Sequence, residues 1–110
     1  MNPYNSEGYD QYSTILWHLN LKDELFALYL KFKDKYPGTS QYYIIKGNYY
    51  SFTGANEKAI QSFRQALETD SGFSYALFLE GHDWLSLNKV DEAEKAFEEL
   101  SHLEPDSYMP

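Results

Sequence analysis

Three histidines are the residues of this chain best suited to metal binding or to proton transfer at neutral pH: His18, His82 and His102. None of them lies near another histidine at the spacing of metal ligands, and the sequence contains no cysteine. We therefore interpret these histidines as residues of the surface or of helix interfaces. No metal and no cofactor are expected.

Carboxylates are the second group that could do chemistry, and five of them crowd one segment: Asp91, Glu92, Glu94, Glu98 and Glu99. Two carboxylates can act as a general acid and a general base. On an exposed helix, however, they form a solvated acidic face, and the first of them stabilise the helix N-terminus. The sequence also lacks a glycine-rich phosphate loop. We predict that the chain is not an enzyme.

The charge balance restricts the class of partner. The chain has 17 acidic and 9 basic residues and a formal net charge of −8. Nucleic acids and anionic membranes require a positive surface, so neither is an expected partner, whereas other proteins or peptides, basic ones among them, are. No apolar run approaches the roughly 18 residues of a membrane span, and no signal peptide is visible. A soluble, intracellular protein that is not secreted is expected.

Small and aromatic residues recur with a step of 34 positions. The pairs at this step include Gly47 and Gly81, Ala59 and Ala93, and Phe63 and Phe97. A period of this length is typical of helix–turn–helix repeats. The sequence thus predicts an all-α fold, with a single repeat domain over residues 1–110. Its three units cover about residues 6–39, 40–73 and 74–107, and are called units one, two and three.

Each unit should contain two helices. The predicted helices are Tyr9–Leu19, Asp23–Lys35, Gln41–Phe52, Glu57–Asp70, Tyr75–Leu87 and Asp91–His102. Asn20, Gly54 and Asn88 fall in the turns, where Gly and Asn adopt a left-handed backbone at low cost. Pro37 and Pro105 should end the second helices of their units. Ser40 and Ser74 are the expected N-caps of the first helices.

Two glycines and two charged residues make the most specific packing predictions. Gly47 and Gly81 should let the two helices of a unit approach closely, with Phe63 and Phe97 filling the space beyond. Lys46 and Glu80, which precede the glycines, are 34 positions apart and should lie on adjacent first helices. We expect either a cross-repeat ion pair between them or two independently solvated side chains.

These positions resemble the tetratricopeptide repeat family, which has a small residue, an alanine, an aromatic residue and a proline at the same places of its repeat. Unit one departs from the pattern, with Ser13 for the glycine and Leu25 for the alanine. We expect it to pack less tightly. The resemblance implies three helix–turn–helix units forming a right-handed superhelical segment that holds other proteins.

A narrower resemblance is to the scaffold subunits of the anaphase-promoting complex, a ubiquitin ligase of the cell cycle. Tyr12–Leu19 is similar to the segment that opens the C-terminal repeat array of one such subunit, and Gly47–Ser51 to a segment of its paralogue; the first likeness is favoured. The resemblance implies a non-catalytic scaffold acting in mitosis and cell division. It also implies a nuclear and cytoplasmic location.

The inner surface of the array is the predicted binding groove. In this family four positions of each first helix face inward, here Glu7, Asp10, Thr14, Trp17, Gln41, Ile44, Asn48, Ser51, Tyr75, Phe78, His82 and Leu85. Asn48 is the expected contact for a peptide backbone, since its amide both donates and accepts hydrogen bonds. Trp17, Tyr75 and Phe78 are either apolar anchors for a peptide or packing residues between helices.

The last unit presents a second candidate surface. Repeat arrays normally close with a polar capping helix, and only a few residues follow Pro105. We expect an uncovered face carrying Leu85, Phe97 and Leu100. Either the natural protein continues beyond this face or another copy covers it, and self-association through it is predicted. The leading hypothesis is thus a scaffold in a larger complex, and the alternative is a stand-alone adaptor that binds a short peptide in the groove.

Overall fold

Six α-helices make up the fold in the computed structural model, which describes residues 8–70 and 73–103. They are α1 (Tyr9–His18), α2 (Lys22–Lys35), α3 (Ser40–Phe52), α4 (Asn56–Thr69), α5 (Tyr75–Ser86) and α6 (Val90–Leu103). Every helix end lies within one residue of its predicted position. The all-α repeat array is therefore confirmed. None of these helices combines the length and the apolar character that crossing a membrane requires.

The turns inside the units have the backbone that their residues predict. Asn20 and Asn88 both have φ 59°, and Gly54 has φ 88°. Each of these residues follows the first helix of its unit, where a left-handed residue stops the helix and directs the chain back. Pro37 follows the end of α2, as expected, whereas Pro105 lies outside the described residues.

The prediction for the N-caps is wrong in part. Ser40 is the first residue of α3, and the N-cap is Thr39, whose Oγ1 accepts a hydrogen bond from the Tyr42 amide at 3.1 Å. Thr39 can do so because its backbone is extended, with ψ 156°. Ser74 occupies the N-cap position of α5, but its backbone is already helical and its side chain makes no capping bond.

Each glycine in the first helices faces the phenylalanine of its own unit. A Cβ added to Gly47 would overlap the ring of Phe63, and one added to Gly81 would overlap the ring of Phe97. Phe63 is fully buried together with Ala59 and Ala66, whereas Phe97 remains partly exposed. The close approach of the two helices in units two and three is thus confirmed.

Units two and three are joined by an ion pair that differs from the predicted one, between the partly exposed Arg64 and the buried Glu80. The Arg64 guanidinium of α4 lies 2.6 Å from Glu80 Oε1 and donates to Glu80 Oε2 at 2.8 Å. The Trp84 indole N–H donates to the same carboxylate at 3.0 Å. Lys46 instead places its ammonium group 5.8 Å from the centre of the Tyr42 ring. The expected Lys46–Glu80 pair is wrong because α4 presents a planar fork of donors to Glu80.

Unit one is packed differently, as expected from Ser13 and Leu25. The two helices of this unit contact each other less extensively than those of units two and three. Leu25 is completely buried, and the hydroxyl of Ser13 donates to the Asp10 carbonyl at 2.6 Å. Leu25, which stands where the other units have alanine, packs in a core cluster with Leu16 and Leu28.

Substitution by alanine should lower the free energy of unfolding by different amounts at Gly47 and at Gly81. Gly47→Ala should lower the free energy of unfolding by about 1–3 kcal/mol, because the Phe63 ring is enclosed and has nowhere to move. Gly81→Ala should cost no more than about 1 kcal/mol, since the partly exposed Phe97 ring can swing outward and alanine favours the helix. Urea denaturation of the two variants measures the difference.

Phe63→Leu provides the control for this pair. Combined with Gly47→Ala, it should recover part of the loss, because the smaller side chain makes room for the added methyl group. Equal costs at Gly47 and Gly81 would show that the exposure of the phenylalanine ring does not decide the effect.

Candidate binding groove

A cavity of about 200 Å³ lies between α1, α3 and α5. Its lining residues are Thr14, Trp17, His18, Asn48, Ser51, Phe78, Leu79, His82 and Asp83. Six of them stand at inward-facing positions named from the sequence. The other three, His18, Leu79 and Asp83, each directly follow one of the predicted residues. Neighbouring residues of a helix point only about 100° apart. A wide groove therefore also contacts the residue that follows a predicted inward-facing one.

Several predicted groove residues lie elsewhere. Ile44 is fully buried in the core with Ala59 and Phe63, so the prediction that it lines the groove is wrong. Its side chain points to α4 because α3 packs against that helix along most of its length. Asp10 is also buried. Glu7 lies outside the described residues.

Three more of the predicted residues border the groove or face away from it. Gln41 and Tyr75 are half-buried and do not line the cavity. Leu85 is 45% exposed and belongs to a different surface at the end of the array. The part of the predicted groove that forms a cavity is therefore its middle, where Trp17, Asn48 and His82 meet.

Asn48 is engaged inside the protein. It is 4% exposed, and its Nδ2 donates to Ser13 Oγ at 2.7 Å and to Thr14 Oγ1 at 3.0 Å. The Tyr75 hydroxyl donates to the same Thr14 oxygen at 2.6 Å. Both amide hydrogens of Asn48 thus have acceptors. A bound peptide could accept a hydrogen bond from Asn48 only by displacing the hydroxyl of Ser13 or of Thr14. The role that the structure shows for Asn48 is to join α1 to α3.

Asp83 is the buried charge of the groove. It is 3% exposed, and its Oδ1 accepts a hydrogen bond from the Ser51 hydroxyl at 2.8 Å. Burial raises the pKa of Asp83 to about 6, although the hydrogen bond from Ser51 lowers it. Within the described part of the chain its carboxylate takes part in no salt bridge. The groove therefore contains an acidic group without a cationic partner from these residues.

Two aromatic rings complete the walls. The Phe78 and His82 rings meet edge to face, with centroids 4.8 Å apart, and His82 is exposed. The Trp17 indole N–H is buried and has no hydrogen-bond acceptor among the described residues. Such an unsatisfied donor costs free energy, which a ligand carrying an acceptor could recover. Residues 8–70 and 73–103 contain no cluster of three potential metal ligands.

The end of the array carries a separate surface, which we call the C-terminal face. A shallow depression of about 340 Å³ is lined there by Leu85, Val90, Ala93, Glu94, Phe97, Glu98 and Ser101. Leu85 and Phe97 lie on it as predicted. Leu100 does not, because it is 4% exposed and packs in the core with Leu77 and Ala96.

The sequence comparisons agree with this architecture. Residues 40–73 match the family model described as tetratricopeptide repeat. The chain is 34% identical to cell division cycle protein 27 homolog A of Arabidopsis thaliana over 84% of its own length and 13% of that protein. This is a tetratricopeptide repeat protein that resembles cell division cycle protein 27.

Two further relatives have names that refer to one complex. Anaphase-promoting complex subunit 8 of Arabidopsis thaliana is 37% identical over 81% of the chain and 15% of that protein. Anaphase-promoting complex subunit 3 of Dictyostelium discoideum is 36% identical over 68% of the chain and 8% of that protein. The chain thus spans less than a sixth of the length of these three relatives.

Asp83 predicts a stability that depends on pH. Its folded-state pKa lies above the ordinary value, so folding favours the protonated carboxyl, and stability is lost as the pH rises from about 4 through about 6. Asp83→Asn keeps an acceptor for Ser51 and removes the charge. It should raise the free energy of unfolding at pH 7.5 by on the order of 2 kcal/mol, with the gain vanishing near pH 4.

The control for this measurement is Asp34→Asn, which changes an exposed carboxyl on α2. Urea titrations of both variants and the parent at pH 4 and 7.5 should show less than about 0.5 kcal/mol for Asp34→Asn. A gain for Asp83→Asn that is the same at both pH values would mean that the buried charge is not its cause.

Proposed function

We propose that this chain is a non-catalytic protein–protein interaction scaffold of an anaphase-promoting complex, a ubiquitin ligase that acts in cell-cycle control. It would be a fragment or a reduced form of such a subunit and work in the nucleus and the cytoplasm. Two relatives carry that complex in their names and match 81% and 68% of the chain. A scaffold requires only surfaces that bind other proteins, and the repeat array provides such surfaces.

The observation that carries this proposal is the C-terminal face. Inside the array, the equivalent surface of unit two is covered by α5. On unit three the described residues leave Leu85 45% exposed and Val90 60% exposed, side by side with the half-buried Phe97. Contiguous apolar side chains of this kind are typical of protein-binding surfaces. We propose that a neighbouring protein covers this face, and self-association is one form of that contact.

Affinity purification of the tagged chain from cells of its own organism tests the proposal. Subunits of the ligase should be recovered, and Leu85→Arg should reduce their recovery at least about tenfold, because a charge replaces an apolar contact. Leu30→Arg is the matched control, since Leu30 is 44% exposed but lies on α2, far from that face. Purification without any ligase subunit would contradict the proposal.

A second candidate function is peptide binding in the groove, by a stand-alone adaptor. The observation that favours it is the buried carboxylate of Asp83 at a cavity whose walls include Trp17 and Phe78. A basic side chain of a peptide would supply the missing counter-charge, and the unsatisfied Trp17 N–H would gain an acceptor from a peptide carbonyl that reached it. The acidic net charge of −8 favours the same partners.

Binding of a library of short basic and neutral peptides to the purified chain tests this candidate. Peptides with a basic residue should bind more tightly, and Asp83→Asn should remove that preference while leaving the protein folded. His82→Ala, on the exposed wall, should weaken all peptides alike. The candidate fails if peptide binding is unchanged by both substitutions. Asn48→Ala is the less informative variant, since Asn48 also joins α1 to α3.

A further inference from the structure

Apolar side chains are exposed at both ends of the array. At one end is the C-terminal face, with Leu85, Val90 and Phe97. At the other, α1 exposes Tyr12, Ile15 and Leu19 to 45%, 53% and 61%. These three residues follow one another at helical spacing and form one stripe, which we call the N-terminal face together with Lys31 of α2. The contacts between units two and three indicate which surface each of these faces can bind.

Contacts between units two and three define which positions meet across such a junction. Arg64 of unit two binds Glu80 at 2.6 Å and Glu99 at 3.3 Å, both in unit three. Ser51 of unit two donates to Asp83 of unit three at 2.8 Å. Because the units are repeats, equivalent residues would meet wherever one unit stacks on another in the same register.

The charged contact has a counterpart at the two ends. The residue 34 positions after Arg64 is Glu98, on the C-terminal face. The residues 68 positions before Glu80 and Glu99 are Tyr12 and Lys31. Stacking of a first unit on a third unit would therefore place Glu98 beside Tyr12 and Lys31. The pair of Arg64 with Glu99 is thus replaced by a pair of Glu98 with Lys31, in which the acidic and basic residues have exchanged sides. The Tyr12 hydroxyl can also donate a hydrogen bond to the Glu98 carboxylate.

The contact between Ser51 and Asp83 changes in a matching way. The residue 34 positions after Ser51 is Leu85, and the residue 68 positions before Asp83 is Ile15. The hydrogen bond from the half-buried Ser51 to the buried Asp83 is thus replaced by two apolar side chains that are 45% and 53% exposed. Both replacements preserve complementarity, since charge still meets opposite charge and the polar pair has become an apolar pair.

We propose that a second copy of this chain docks its N-terminal face on the C-terminal face of the first, continuing the register of units two and three. Lys31 of one copy pairs with Glu98 of the other, and Ile15 packs against Leu85 and Phe97. The contact is heterologous, so each copy keeps one free face and further copies can add. This proposal rests on the protein-binding role proposed for the C-terminal face and names its partner.

Charge reversal tests the register directly. In sedimentation of the purified chain at increasing concentration, the parent should self-associate. Glu98→Lys and Lys31→Glu should each raise the dissociation constant at least about tenfold, because each brings like charges together. The double variant Glu98→Lys with Lys31→Glu should restore association. The single variants change the net charge in opposite directions, so a common loss cannot come from the net charge.

Two further variants complete the test. Ile15→Glu should also dissociate the assembly, whereas Lys33→Glu, an exposed reversal on the same helix as Lys31, should leave it unchanged. Helix content and the urea midpoint of each variant confirm that it folds. A parent chain that stays monomeric at high micromolar concentration overturns the proposal, as does association that the single reversals leave intact or that the double variant fails to restore. Since no other subunit is present, these outcomes are independent of the recovery of ligase subunits.

Discussion

The contact between a helix glycine and the phenylalanine of the same unit is the constraint on which the packing of units two and three depends. Gly47 against Phe63 and Gly81 against Phe97 set how closely the two helices of a unit approach, since a carbon atom added at either glycine would overlap the ring in its present position. The short distance lets small residues such as Ala59 and Ala93 be fully enclosed. A unit with two close helices then presents a flat apolar side, which the next unit can cover.

Polar groups decide how the units are joined once this packing is established. Asn48 holds unit two on unit one through Ser13 and Thr14, and Glu80 holds unit three on unit two through Arg64. Buried groups of this type contribute less to net stability than apolar packing does, but each costs much if its partner is lost. We expect these groups to favour the observed register, since another register would leave them without partners.

The groove follows from the same arrangement. Because α1, α3 and α5 lie side by side, residues that are 34 positions apart meet at one surface, and Asp83 is enclosed there between the helices. Its raised pKa is a consequence of that enclosure. The groove thus combines a buried carboxylate, aromatic walls and an indole N–H without an acceptor among the described residues.

The sequence by itself determined the helices, their turns and the close pairs, because these depend on residue types that recur every 34 positions and act locally. It also placed Trp17, Asn48 and His82 near one another. Only the tertiary structure decided that Glu80 binds Arg64 rather than Lys46, that Ile44 and Leu100 are buried, and that Asp83 lies in the groove. Those outcomes depend on the angle and the distance between neighbouring helices. A repeat period specifies neither of them, because it gives only the order of the residues along each helix.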